Sequence, residues 1–185
     1  MLAGLMLLIS FALAGSPAPL IFSAAEEATL AKGEVVIRDS GKGMVVAVID
    51  VDATPAKVWP EVLDIERRVE EVGSSTGCEV YHRSDDTLKA KWGIGMMGVS
   101  ASFHLIYTID SASMVMSYTI DESKENDVAY AVGSYQVLSR GDVARIIYRS
   151  EADPKSKVPG WLRSLLTGRP LRQQLGGIRA RAESQ

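Results

Sequence analysis

The chain has 185 residues, of which 46% are hydrophobic and 23% are charged, and its formal net charge at pH 7 is −3. This composition is typical of a folded globular protein and argues against a disordered chain. A net negative charge provides no long-range attraction to nucleic acid, so we expect no nucleic-acid partner. The single cysteine, Cys78, excludes an intramolecular disulfide.

The N-terminal region has the pattern of a secretory leader. Residues 1–25 carry no charged side chain: an apolar block over 2–13 is followed by Pro17 and Pro19 and then by three small residues. This order is typical of a signal peptide with its cleavage site. We therefore predict a periplasmic or secreted protein, with a cleaved leader over 1–25 and one domain over 26–185. The alternative is an uncleaved membrane anchor, although the two prolines interrupt the block short of the ~20 residues that a span requires.

The first elements of the domain are predicted to be a strand and a helix. Residues 44–53 alternate between apolar and polar side chains, which predicts a half-buried strand. Thr54 is suited to the N-cap and Pro55 to the first helical position, so a helix should begin here and end at about Leu63. A second short helical turn should follow from Asp64.

Six further runs have strand character. Breakers rich in Gly, Asp and Ser separate them at hairpin spacing, which predicts an antiparallel meander. In the fifth run the inward parity slips at Gly133, and this predicts a β-bulge that would curve the sheet. The six runs are residues 79–83, 88–94, 101–109, 114–120, 128–138 and 143–150.

The C-terminal segment, residues 158–183, has apolar residues at helical spacing and arginines at many of the other positions. Gly168 and Pro170 interrupt it, so we predict a short helix, a break, and a longer helix that restarts at Pro170. Its positive charge indicates either a membrane-facing surface or solvated cations near a helix C-terminus. The predicted fold class is α+β: a curved antiparallel sheet of about six to seven strands wrapped around this long helix.

Several short motifs follow one another along the chain: the Val-Asp-Ala-Thr-Pro-Ala-Lys-Val-Trp run at 51–59, Val-Leu-Asp-Ile-Glu-Arg at 62–67, Gly-Ser-Tyr-Gln-Val at 133–137, and the ends of the last helix at 158–162 and 181–183. In this order they resemble the helix-grip fold of the START, polyketide-cyclase-like and Bet v 1-like superfamily. The resemblance covers the chain from about residue 34 to the C-terminus. It implies a hydrophobic ligand such as a lipid, sterol, quinone or polyketide, and leaves the choice between carrier and cyclase open.

Other motifs do not predict a cofactor, a metal or a catalytic residue. Residues 93–98 match the G-x-G-x-x-G pattern, but a strand follows instead of the helix that a dinucleotide site needs. Met97 in this hairpin is instead predicted to be a flexible rim residue. Cys78 and His82 supply only two ligands, too few for a zinc site. His104 falls among residues of outward parity and is predicted to lie on the surface.

The inward-facing side chains of the strands and of the last helix form the predicted ligand site. Several tyrosines in one apolar cup favour a cavity with a few orienting hydroxyls, because a buried tyrosine needs a hydrogen-bond partner. The alternative is a filled core. The predicted ligand-binding residues are Trp92, Met97, Phe103, Leu105, Tyr107, Met114, Met116, Tyr118, Tyr130, Tyr135, Leu171, Leu175 and Ile178.

We therefore predict a non-enzymatic protein that binds, and by extension transports, a hydrophobic small molecule between the sheet and the last helix. The basic helix would contact a membrane surface transiently. Two alternatives stay open. One is an enzyme of the cyclase or aromatase type, in which a pocket tyrosine or His104 would do acid–base work. The other is a periplasmic accessory protein that acts through a protein partner.

Overall fold

The structure is a computed structural model that describes residues 20–39, 44–71, 73–96, 99–154 and 168–185. Within these residues it contains eight strands and four helices. The strands are β1 Val36–Asp39, β2 Met44–Val51, β3 Ser75–Arg83, β4 Thr87–Met96, β5 Val99–Asp110, β6 Val115–Ile120, β7 Val128–Arg140 and β8 Val143–Pro154. The helices are α1 Ala24–Leu30, α2 Pro55–Leu63, α3 Arg68–Glu71 and α4 Arg169–Glu183.

All eight strands belong to one antiparallel sheet in the order β1-β2-β8-β7-β6-β5-β4-β3. From β3 to β8 each strand pairs with the next one along the chain, as the hairpin spacing predicted. β2 pairs with β8, so the two ends of the strand region meet within the sheet. The predicted α+β helix-grip fold is confirmed, with eight strands instead of six to seven. The additional strand is β1, which has only four residues and therefore shows little periodicity.

Helix α2 begins and ends where the sequence predicted. Thr54 is its N-cap, Pro55 is its first residue, and Asp64 follows its last turn. The next turn is stabilised by the Asp64 carboxylate, which accepts a hydrogen bond from the Arg67 backbone N–H at 3.3 Å. This turn leads into α3, and it thereby places Arg68 against the interior of the domain.

Helix α4 packs against α2, α3 and β2. It begins at Arg169, so the predicted restart at Pro170 is confirmed within one residue. Leu171, Leu175 and Ile178 are at most 3% exposed, and burying each such side chain contributes roughly 1.5–3 kcal/mol. The short helix predicted before Gly168 lies outside the described residues. Among the helices that the structure describes, none is long and apolar enough to cross a membrane.

The β-bulge predicted at Gly133 is wrong. At that position β7 is in regular register, with Tyr118 of β6 on one side and Ser150 of β8 on the other. The irregular pairing lies between Val128 and Tyr130 instead. The parity slip came from assigning Tyr130 to the interior, whereas this residue is 41% exposed. Tyr135 faces inward in a strand that is regular around it.

The N-terminal segment covers the outer face of the sheet. Leu30 of α1 packs with Val36, Val48 and Ile147, and Phe22 lies against the same cluster. Ser23 caps α1 through a capping box with the side chain of Glu26. The folded domain thus includes residues on the N-terminal side of position 26, where the predicted domain begins. The leader itself stays a prediction, and residues 1–19 lie outside the described residues.

A buried arginine fastens α1 to the sheet. Arg145 of β8 donates to both carboxylate oxygens of Asp50, at 2.6 and 2.9 Å. It also donates to both carboxylate oxygens of Glu27 in α1, at 3.1 and 2.9 Å. Hydrogen bonds from Arg145, and to a smaller extent from Arg140, lower the pKa of Glu27 to about 2. The Phe22 ring centroid lies 4.8 Å from the Arg145 guanidinium carbon, which adds a cation–π contact.

Candidate ligand-binding cavity

A cavity of about 130 Å³ lies on the concave side of the sheet, and its lining is mostly apolar. Strands β4 to β8 supply most of its wall, and residues of α3 and α4 also line it. An apolar cavity of roughly 150 Å³ accommodates benzene, so this one has room for a single ring or a short chain. Six of the predicted ligand-binding residues line it, namely Trp92, Phe103, Leu105, Tyr107, Tyr118 and Tyr135.

The other predicted ligand-binding residues lie elsewhere. Four of them are buried core residues that do not line the cavity, namely Met116, Leu171, Leu175 and Ile178. Met114 is half-buried in the turn before β6, where its φ is +49°. Tyr130 is turned outward, because it stands an odd number of positions from the inward-facing Ala131 and Tyr135 of the same strand. Met97 lies outside the described residues.

The tyrosine hydroxyls of the cavity bind one another and their neighbours. The Tyr118 hydroxyl lies 2.9 Å from the Tyr148 hydroxyl and donates to the Ser150 hydroxyl at 2.9 Å. The Trp92 indole N–H donates to the Tyr107 hydroxyl at 2.8 Å. These bonds satisfy groups that could otherwise not be buried without cost, and they hold the aromatic rings in fixed positions.

Burial keeps these tyrosines neutral. Desolvation is the largest cause that raises the pKa of Tyr107, Tyr118 and Tyr135 well above the usual range. A tyrosine with a raised pKa does not become a phenolate near neutral pH, so it cannot serve as a base there. The hydroxyls can still orient a ligand by hydrogen bonding.

Arg68 is the charged residue of the cavity wall, and the sequence analysis did not identify it. It is 2% exposed. Its guanidinium donates to the Val62 carbonyl oxygen and lies over the Tyr135 ring, 4.4 Å from the ring centroid. Its Nε–H is buried and has no hydrogen-bond partner. Its neighbour Arg67 is exposed. One sequence signal distinguishes the two arginines: Arg68 stands three positions after the apolar Ile65, the spacing that places two residues on the same side of a helical turn.

Two serines and a glutamine complete the polar part of the wall. The Ser74 hydroxyl is buried without a hydrogen-bond partner, whereas the Ser75 hydroxyl lies 3.5 Å from the Gly93 carbonyl oxygen. The Gln174 side-chain amide of α4 donates to the Tyr135 hydroxyl. Arg68 and Ser74 therefore both offer hydrogen-bond donors that the described protein groups leave unused.

The histidine and the cysteine weighed in the sequence analysis do not line this cavity. The His104 ring Nδ1 lies 3.1 Å from the Glu125 carbonyl oxygen, in the loop before β7. Cys78 is half-buried, and desolvation is the main cause that raises the pKa of its thiol to about 12. Within the described residues, no three His, Cys, Asp or Glu side chains are grouped so that they could hold a metal ion.

Three arginines of α4 contact the rest of the domain, and one of them, Arg172, donates to the Val35 carbonyl oxygen. Arg179 donates to the Gly33 carbonyl oxygen at 2.6 Å, which ties α4 to the turn after α1. Arg181 donates to the Glu61 carboxylate at 2.5 Å, which ties α4 to α2. These cations thus have partners within the chain, and contact between this helix and a membrane surface stays a prediction.

No family model and no curated protein matches the sequence. Solved structures do share its fold. The protein TTHA0849 from Thermus thermophilus is 17% identical, with a TM-score of 0.65 over 76% of this chain and 97% of that one. The Zhui aromatase/cyclase from Streptomyces sp. R1128 is 13% identical, with a TM-score of 0.64 over 80% and 94%.

A STAR-related lipid transfer protein from Xanthomonas axonopodis is similar to the same extent. It is 13% identical, with a TM-score of 0.62 over 80% of this chain and 92% of that one. The chain thus has the helix-grip fold found in START-superfamily proteins and polyketide aromatase/cyclases, as the sequence motifs predicted. At these identities the likeness establishes the fold and no particular activity.

Proposed function

We propose that this protein binds a hydrophobic small molecule in the cavity between the sheet and α4, and releases it unchanged. The observation that carries the proposal is the apolar cavity with a small number of polar groups in its wall, which is the usual form of a small-molecule site. Proteins of the same fold include one named for lipid transfer and one named for aromatase/cyclase activity. Both names are consistent with a hydrophobic ligand.

Binding is favoured over proton-transfer catalysis by the chemistry of the wall. Burial holds three of the cavity tyrosines neutral, and an arginine such as Arg68 does not lose its proton in a protein. His104, the base considered for a cyclase, does not line the cavity. Among the described residues, the wall contains no histidine and no carboxylate that could remove a proton near neutral pH.

A pair of matched variants in β7 tests where the ligand binds. Ala131 is buried and lines the cavity, whereas Ala129, two residues earlier, is exposed. We expect Ala131→Leu to fill part of the cavity and to abolish uptake from a lipid extract of the host, as followed by native mass spectrometry. Ala129→Leu should bind as the wild type does. Equal uptake by both variants would place the ligand elsewhere and overturn the proposal.

The same measurement separates a carrier from the alternatives. Wild-type protein purified from its host should show an adduct that solvent extraction removes with its mass unchanged. An extracted molecule chemically altered after incubation with the protein would favour the cyclase alternative. A clean apo mass with no uptake would overturn ligand binding and favour a protein partner.

We also propose that the chain is exported through its N-terminal leader. The support is the uncharged apolar block that precedes the domain. Fractionation of the host cells, followed by mass spectrometry of the intact chain in each fraction, tests export and removal of the leader. A full-length mass in the cytoplasmic fraction would overturn it.

A further inference from the structure

We infer that the cavity selects a compact apolar carboxylic acid and that Arg68 binds its carboxylate. This inference rests on the proposed ligand-binding function, which it narrows to a chemical class. It starts from a buried charge for which the side chains that the structure describes supply no counter-ion.

Arg68 is a permanent cation in the interior. The residue is 2% exposed, and a guanidinium remains protonated in proteins. Of its five N–H donors, one binds the Val62 carbonyl oxygen, while Nε–H is buried without a partner. The ring of Tyr135 offers only its face. Burying a charge is costly unless an opposite charge or several hydrogen bonds compensate it.

The chain supplies no such counter-ion among the side chains that the structure describes. Apart from Asp153, every aspartate and glutamate lies among them, and none of these carboxylates forms a salt bridge with Arg68. The segments that the structure does not describe contain no aspartate or glutamate. These segments are residues 1–19, 40–43, 72, 97–98 and 155–167. A ligand is therefore the natural source of the missing anion.

The cavity wall also indicates the chemical type of the anion and the size of the ligand. A guanidinium matches a carboxylate through two parallel hydrogen bonds, and the unused hydroxyl of Ser74 in the same wall could donate a third. Trp92 and Phe103 provide flat apolar surfaces in that wall. The volume of about 130 Å³ is well below the roughly 300–1,000 Å³ of sites for drug-sized ligands. A carboxylate on a single aromatic ring fits this description better than a sterol or a diacyl lipid.

Isothermal titration calorimetry with three probes that share one apolar body tests the inference. The probes are benzoate, benzyl alcohol and phenylphosphonate. The wild type should bind the carboxylate at least tenfold more tightly than the alcohol. Arg68→Met should remove this preference while leaving the affinity for the alcohol within about twofold. The matched control is Arg67→Met, since Arg67 is exposed and pairs with Asp64; it should keep the preference.

Variants of Arg68 also separate ligand binding from a purely structural role. Ligand-free Arg68→Met should unfold at or above the wild-type temperature, because it loses an uncompensated buried charge. If that variant does not fold, Arg68→Lys serves in its place and should show a weakened preference for the acid, because an ammonium lacks the planar fork. A destabilised Arg68→Met that keeps the preference would overturn the inference.

The outcomes distinguish this inference from the proposed function. Equal affinity for all three probes would overturn selection by Arg68 and leave ligand binding intact. Tighter binding of the phosphonate would overturn the assignment to a carboxylate. No binding of any probe by a protein that carries an extractable cargo would overturn the inference alone, whereas no binding and no cargo would overturn the proposed function as well.

Discussion

Replacing Gly133 with alanine should destabilise the protein through two close contacts of β7. A Cβ atom at this position would collide with the Tyr118 ring and the Arg149 carbonyl oxygen, both of which lie close to β7. Tyr118 is buried and its hydroxyl holds two hydrogen bonds at 2.9 Å, to Tyr148 and Ser150. The Tyr118 ring therefore has to move, and β7 has to shift away from the Arg149 carbonyl oxygen.

The magnitude follows from these contacts. Overpacking a filled interior costs about 1–3 kcal/mol, and losing two buried hydrogen bonds adds about 1 kcal/mol each. Alanine restricts the unfolded chain more than glycine does, which offsets about 0.4–1 kcal/mol. We expect Gly133→Ala to lower the free energy of unfolding by about 2–5 kcal/mol. For a domain of this size each kcal/mol corresponds to about 2–4 °C in Tm.

Urea denaturation followed by circular dichroism measures this difference, provided that the slope of the transition is unchanged. Gly77→Ala is the matched control, because Gly77 also lies in a strand but a Cβ there meets nothing within 4 Å. We expect that variant to stay within about 0.5 kcal/mol of the wild type. If both variants unfold at the same urea concentration, the close approach of Tyr118 to β7 is not a constraint and the reasoning fails.

Two further predictions concern the N-terminal segment. Hydrogen bonds, chiefly from Arg145, lower the pKa of Glu27 in the folded state to about 2. The stabilisation that results is fully present above the unfolded pKa near 4.5. It is lost as the pH falls from there toward the folded pKa. Glu27→Gln should flatten the dependence of the urea midpoint on pH over that window, and an unchanged slope would contradict the assignment. A chain that begins at residue 26 lacks the Ser23 cap and the Phe22 ring, so its free energy of unfolding should be about 1–2 kcal/mol lower than that of the full-length chain. Equal stability of the two chains would show that this segment contributes nothing to the fold.

The sequence by itself determined most of the secondary structure and the type of fold, although α1 and β1 were not predicted. Alternation at residues 44–53 and the breakers between the later runs predicted strands and hairpins, because strand periodicity and turn chemistry are local properties. The helix start at Pro55 and the restart near Pro170 follow from proline's missing N–H and fixed φ. Six of the cavity residues were found because inward parity along a strand is itself a local pattern.

Only the tertiary structure decided which polar groups meet. Arg67 and Arg68 are adjacent and chemically identical, and the packing around Ile65 puts one in water and the other in the cavity wall. The tyrosines that bind each other, Tyr118 and Tyr148, are 30 residues apart in sequence, so no local pattern records their contact. The size of the cavity is likewise the space that remains after distant segments have packed. Local periodicity therefore predicts the elements and their buried faces, whereas the charge and volume of a site depend on contacts between residues far apart in the chain.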